Sequence, residues 1–145
     1  MTPDVNVLVA AARAGHVHHG VARQWLDDAV RKSSRAKPLI LLPAVAVGFV
    51  RVVTDRRFYP SPATSTEEAL ANIAALLERP HVRWGEHGGE WAQVAALCAR
   101  HGLAGPILSD AWIAATVLHL GEHLVTFDRG FRRLLPPRHL TVLAP

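Results

Sequence analysis

The chain carries a single cysteine, Cys98, among 145 residues, which excludes an internal disulfide framework and any cysteine-cluster zinc site. Cys98 falls among apolar residues at helical spacing and is expected to be buried filler. No apolar run approaches the roughly 18 residues that span a bilayer. Thr2, Pro3 and Asp4 follow Met1, so neither the basic nor the apolar region of a secretory signal is present. These absences predict a cytoplasmic protein with no membrane attachment. Repeats, low-complexity tracts and linkers are missing too, and one domain over residues 1–145 is expected. A domain of that length buries roughly 70% of its unfolded surface, enough for a proper core.

What is present is a globular composition, 50% hydrophobic and 19% charged. Sixteen basic against 12 acidic residues give +4, a moderate excess that suits a polyanionic partner. Its distribution says more. Residues 1–60 hold nine Lys/Arg and four Asp, a net of +5, whereas residues 61–145 hold seven Arg and eight acids, a net of −1. If the acids of the second half include a buried cluster, the outer surface is more basic than the total.

Strand and helix patterns alternate along the chain. Asp4 ends a very short first strand and precedes an apolar, helix-compatible run. Only three residues come before it, and Pro3 lacks the N–H that a central strand donates, so either this strand is stunted or the natural start lies upstream. From His19 to Lys32, Val21, Ala22, Trp25, Leu26, Ala29 and Val30 recur at the 3.6-residue period of an amphipathic helix. The apolar run bracketed by Pro38 and Pro43 predicts a buried parallel strand. Ala44 to Val53 predicts a helix despite Gly48, which costs about 1 kcal/mol relative to alanine. Arg56 to Ala63 is expected to be a loop, and Ser65 to Glu68 matches a capping box opening the next helix. Val82 to Trp84 is a short strand and Trp91 to Arg100 a helix ended by Gly102. Ser109, as its cap, and Asp110 open a further helix that Gly121 closes, and the apolar strand from Leu124 stops at Asp128. The alternation predicts an α/β domain with a mainly parallel sheet.

Asp4, Asp110 and Asp128 therefore each stand at an abrupt change of structure, with Asn6, Ser109 and Thr126 as polar neighbours. Ligands of open parallel sheets bind beyond the carboxyl ends of the strands, and Asp110 in a first helical turn is favoured by the helix dipole. Taken singly, an Asp after a strand is more often a turn or cap residue than a ligand; three placed alike argue for a site. Gathered carboxylates repel unless a positive charge joins them. An all-oxygen set suits a hard cation, Mg²⁺ or Mn²⁺, which can activate a water and stabilise charge on a phosphoryl oxygen, so phosphodiester cleavage is the expected reaction class. Arg51, Arg56, Arg57, Arg129, Arg132 and Arg133 are candidates for a phosphate-tracking rim, with Arg129 foremost because it follows Asp128. Trp112 is expected in the core rather than as a base-stacking platform. Nine histidines, including His16, His18 and His19, offer no H-E-x-x-H pair, and structural zinc is not expected.

Four stretches together resemble the PIN-domain ribonucleases, and among them the VapC toxins of bacterial toxin–antitoxin pairs: DVNVLV from Asp4, FVRVVTDRRFYPSP from Phe49, LSDAWIAA from Leu108 and LVTFDRGF from Leu124. They keep the family's order over nearly the whole chain. The resemblance implies a three-layer α/β/α sandwich, a Mg²⁺- or Mn²⁺-dependent endoribonuclease, a homodimer, and neutralisation by a VapB-like antitoxin. By position it makes Asp4, Asp110 and Asp128 the metal-binding acids, with Asn6, Ser109 and Thr126 supporting them and Arg51, Arg129 and Arg132 toward RNA. One departure stands out. Members commonly carry a glutamate on the helix after the second strand, where this chain has Gly48, and no other acid lies between Asp28 and Asp55. A single ion is therefore predicted, and the alternative reading is a catalytically degenerate PIN domain that binds RNA or its antitoxin. Asp4 and Asn6 also resemble the Asp-x-Asp start of haloacid-dehalogenase-like phosphatases. The chain's two lysines, Lys32 and Lys37, lie in or after a solvated helix, which leaves the phosphate lysine of such enzymes unfilled.

Overall fold

The computed structural model describes residues 1–59 and 64–144. Five short strands, β1 (Thr2–Pro3), β2 (Leu39–Leu41), β3 (Val82–Trp84), β4 (Leu124–Thr126) and β5 (Leu140–Val142), are flanked by six helices. These are α1 (Val5–Ala12), α2 (His19–Lys32), α3 (Pro43–Thr54), α4 (Thr66–Leu77), α5 (Trp91–His101) and α6 (Leu108–Leu120). All strand pairs are parallel, β1 with β4, β4 with β5, and β2 with β3. The result is the expected α/β/α arrangement about a parallel sheet.

Pro3 leaves a mark on that sheet. The Ile40 N–H donates to the Met1 carbonyl at 2.9 Å, joining β2 to β1. A parallel ladder answers such a bond with one from the residue two further along, here Pro3, which has no N–H to give. The ladder is thus open at one rung, and the sheet runs β3-β2-β1-β4-β5 with its hydrogen bonding interrupted in the middle.

α1 and α6 are apolar on nearly every side, as helices buried on several faces must be. Leu8 and Val9 of α1 join the main core with Leu41, Val45, Phe49, Val117 and Phe131. Val7, Ala10 and Ala11 pack instead on Ala22 of α2. Burying each large aliphatic side chain contributes about 1.5–3 kcal/mol. α2, by contrast, keeps the expected solvated face, with Arg23 paired to Asp27 at 3.0 Å and Lys32 to Asp28 at 3.5 Å. Cys98 is half-buried against the main core, consistent with filler.

Ser65 caps α4 as expected, accepting the Glu68 N–H at 3.0 Å. Gly102 and Gly121 end α5 and α6 in the left-handed conformation, where a side chain is costly. The start of α6 differs from expectation. A 3₁₀ turn over Gly105–Ile107 precedes it, the Leu108 N–H bonds back to the carbonyls of that turn, and Ile107 is the cap residue. Ser109 therefore lies inside the first turn and caps nothing. The second half of the expected loop, residues 60–63, lies outside the described residues. β5 has no signal in the sequence: its three residues are only partly buried, at a sheet edge, and show no sustained alternation.

Candidate active site

Asp4 leaves β1 and caps α1, and its side chain is 4% exposed. Oδ1 accepts the Val5 N–H at 2.7 Å; Oδ2 accepts the Asn6 amide at 2.7 Å and the Thr126 hydroxyl at 2.6 Å. Thr126, at the end of the adjacent strand β4, is saturated. Its hydroxyl donates to Asp4 and accepts from the Asn6 amide and the Asp128 N–H, both at 2.9 Å, which uses its one donor and both lone pairs. The Asn6 carbonyl oxygen accepts the Phe127 N–H at 3.1 Å. Asn6 and Thr126 thus bind the ends of β1 and β4 into one rigid unit that fixes the two acids relative to each other.

Asp128 accepts the Gly130 N–H on Oδ1 at 2.6 Å, the turn that aspartate favours two residues ahead of it. A Cβ on residue 130 would stand 3.0 Å from that oxygen, so glycine leaves the carboxylate room. Asp110 projects half-buried from the first turn of α6. Ser109 is exposed beside it, and among the described residues no hydrogen bond ties its hydroxyl to the acids.

The three carboxylates feel one another. Burial pushes Asp4 up to about 6, with Asp110 and Asp128 adding to the rise against the opposing bonds from Thr126 and Val5. Burial, then Asp128, raises Asp110. None of the groups acting on either acid is cationic. The donor set, three carboxylates without sulfur or imidazole, suits Mg²⁺ or Mn²⁺. Among the described residues no three acid, histidine or cysteine side chains are already close enough to hold an ion. A hard cation of this kind keeps several waters and takes few protein ligands.

The arginines divide. Arg51, on the last turn of α3, and Arg129 and Arg132, in the 3₁₀ turn Arg129–Arg133, are exposed; Arg51 adds to the charge acting on Asp55, and among the described residues Arg129 and Arg132 make no ion pair. Arg57 is taken: its guanidinium grips Asp55, with the Nη2–Oδ2 contact at 2.7 Å, and holds that carboxyl at about 2. Gly48 lies against the start of α1, where a Cβ would come within 2.6 Å of Val5 Cγ2. The space a longer side chain would need is filled by the residue next to Asp4.

Two residues depart from the reading of the sequence. Trp112 is not core; it is 42% exposed, and its indole N–H donates to Glu90 Oε1 at 2.8 Å. Glu90 is almost covered, at 5% exposed, and also accepts the Gly88 N–H at 2.7 Å. The Trp112 bond, foremost, holds it at about 2. Glu90 carries no signal in the sequence, because it sits between two glycines and a tryptophan with no periodicity around it.

Known proteins agree with this architecture. The PIN domain family model matches residues 1–134. Ribonuclease VapC43 of Mycobacterium tuberculosis is 37% identical over 133 residues, covering 90% of this chain and 86% of that protein. Ribonuclease VapC31 of the same organism is 31% identical over 140 residues, 94% of each. Among solved structures, Mycobacterium tuberculosis VapC20, described as a sarcin–ricin-loop-cleaving toxin, superposes with a TM-score of 0.64 at 20% identity, over 90% of this chain and 92% of that one. VapBC2 from Rickettsia felis, bound to a DNA fragment from its promoter, gives 0.64 at 16% identity over 97% and 96%. With the four motifs in order on this fold, the chain belongs to the PIN-domain family and is closely related to the VapC-type ribonuclease toxins of bacterial toxin–antitoxin systems.

Proposed function

We propose that the protein is the toxin of a type II toxin–antitoxin pair and an endoribonuclease that hydrolyses RNA phosphodiester bonds with a divalent cation. The observation that carries this reading is Asp4: a carboxylate 4% exposed, tied by Thr126 to the strand end that bears Asp128 and close enough to Asp110 and Asp128 to feel their charge, on the strand edge where ligands of such sheets bind. Asp4, Asp110 and Asp128 would hold one Mg²⁺ or Mn²⁺. When bound, that ion supplies the Lewis acidity and charge neutralisation that phosphodiester hydrolysis requires. Thr126 and Asn6 keep Asp4 and Asp128 at a fixed separation, which reduces the reorganisation needed when substrate arrives. Arg129 and Arg132, on the turn that Asp128 starts, would hold phosphates on either side of the scissile bond.

The antitoxin would seat in a cleft of about 710 Å³ between α2 and α4. Leu8, Leu26, Phe49 and Ile73 make its floor, with Arg31, Arg79 and the Arg23–Asp27 pair at the rim, a net positive charge. An apolar floor with a basic rim suits an amphipathic helix carrying acidic flanks. A short upstream reading frame encoding a DNA-binding protein that co-purifies with this chain would support the pairing.

The test is an RNA cleavage assay on structured RNAs with Mg²⁺, with EDTA, and with Asp128→Asn. Cleavage that needs the metal and is lost in the variant supports the reading; full cleavage or toxicity in Asp128→Asn sinks it. One observation favours the second reading, a degenerate PIN domain that binds RNA or antitoxin without cutting: Val5 occupies the space at Gly48 where a further acid would reach the site. RNA binding without EDTA-sensitive cleavage would select it.

A further inference from the structure

We propose that the turn at residues 34–37 and the loop at residues 79–81 dock backbone phosphates of a folded RNA, at a distance from the bond that is cut; this rests on RNA being the substrate. Both segments precede strands, β2 and β3, whereas Asp4 and Asp128 follow β1 and β4. Because the strands run parallel, the basic segments and the acids lie on opposite edges of the sheet. The three residues of a strand alone put about 10 Å between those edges. A dinucleotide held at the acids stays clear of the far edge, and a folded RNA reaches both. The two segments are fastened to each other. The Ser33 hydroxyl donates to the Pro80 carbonyl at 3.1 Å, and the Leu39 N–H to the His81 carbonyl at 3.0 Å. Ser34 and Lys37 exchange backbone hydrogen bonds, both of 3.1 Å, which closes a turn that contains Arg35. The register of β2 on β3, with Leu39 against Val82, carries Lys37 alongside Pro80. Arg35, Lys37 and Arg79 therefore share one fixed surface.

Charge selects the occupant. Residues 28–37 and 78–83 hold six cations, Arg31, Lys32, Arg35, Lys37, Arg79 and Arg83, against two acids, Asp28 and Glu78, a net of +4 that equals the net charge of the whole chain. Asp28 is taken by Arg31 and Lys32. Arg35, Lys37, Arg79 and Arg83 are exposed and, among the described residues, make no ion pair. Arg83 lies on β3, which among the described residues pairs with β2 alone; it faces away from the buried Val82 and carries the charge around that free edge. No large apolar side chain occurs in residues 31–37 or 79–81. Protein interfaces centre on apolar and aromatic groups and are poor in lysine, whereas a phosphate backbone is held by Lys and Arg without an apolar centre. Arg31 and Arg79 also border the cleft between α2 and α4; Arg35, Lys37 and Arg83 do not, so they report on this surface alone.

The experiment measures binding of a refolded transfer-RNA mixture by filter retention, in EDTA so that the RNA stays intact, over a range of NaCl. Arg35→Ala with Lys37→Ala should weaken binding by about tenfold or more at low salt and lower the slope of log affinity against log salt by about 1.5, the share of two phosphate contacts. Arg35→Lys with Lys37→Arg, which keeps both charges, should stay within about threefold of the parent. Arg100→Ala, which removes an exposed arginine of α5, should leave the slope unchanged. Equal affinity and slope in the parent and in a folded Arg35→Ala, Lys37→Ala variant overturn the docking surface while leaving the nuclease reading standing. So does a loss as large in Arg100→Ala, which would make the effect one of net charge alone. Unchanged RNA binding with loss of poly-L-glutamate binding overturns it too, since the surface would then suit an acidic protein. A parent that binds the mixture but cuts no RNA in Mg²⁺ keeps the docking surface and removes the nuclease reading; a parent that neither binds nor cuts RNA removes both.

Discussion

Asp4 and Glu90 are both carboxylates with almost no exposed surface, and they are held in opposite states, one pushed up to about 6 and the other down to about 2. Each accepts hydrogen bonds, so bonding alone does not separate them. Asp4 lies deep, where lost hydration dominates, and faces two like charges. Glu90 is covered by its own loop and the Trp112 indole at the molecule's periphery, where hydrogen bonds outweigh the smaller cost of burial. The comparison separates depth from coverage. Glu90 is complete as it stands and fixes a ring, whereas Asp4 is a charge that the fold leaves short of a counter-charge.

The largest expected effect is on chemistry. Asp4→Asn, Asp110→Asn and Asp128→Asn should each bring RNA cleavage to background with the circular dichroism spectrum intact; a variant that cuts at the parental rate removes that residue from the site. Next comes stability against pH in the metal-free protein. Because Asp4 is raised from 3.8 to about 6 in the folded chain, its contribution is fully present below 3.8 and is lost as pH rises through about 6. The full loss is about 3 kcal/mol. Asp110 acts in the same direction. Glu90 has the opposite sign, its contribution being present above 4.5 and lost as pH falls toward about 2. Urea unfolding in EDTA should therefore show a protein that weakens from about pH 4 to pH 7, and added Mg²⁺ should restore stability at the upper end, by about 2.7 kcal/mol at a hundredfold excess over its Kd. No dependence on pH or on Mg²⁺ would mean that Asp4 lacks this environment.

Smaller effects test the packing behind each acid. Gly48→Glu should destabilise by about 1–3 kcal/mol, the usual cost of overpacking, because its Cβ meets Val5; Val5→Ala in the same chain should recover most of it. A harmless Gly48→Glu would show that Val5 moves aside freely. Glu90→Ala should cost about 1–2 kcal/mol, since it strands the Trp112 and Gly88 donors. Asp27→Ala, on the solvated face of α2, should cost no more than about 0.5 kcal/mol.

The sequence made the strand-edge acids legible because each stands where an apolar run stops, a signal local to a few residues. The same holds for α2 and for the strand between Pro38 and Pro43. Asn6 and Thr126 were readable as polar neighbours, but their joint hold on Asp4 spans 120 residues and appears only when β1 and β4 pair. Trp112 misled because its alanine-rich surroundings are those of a core helix, and the loop that binds its indole edge without covering the ring is 22 residues away. Val5 explains Gly48 for the same reason: a close approach of two helices has no trace in either segment alone.

An anomalous difference map from crystals grown with Mn²⁺ tests the central claim most directly. We expect a single protein-bound peak among Asp4, Asp110 and Asp128, lost in Asp4→Asn. No peak at the three acids, or two strong protein-bound peaks, would contradict the account.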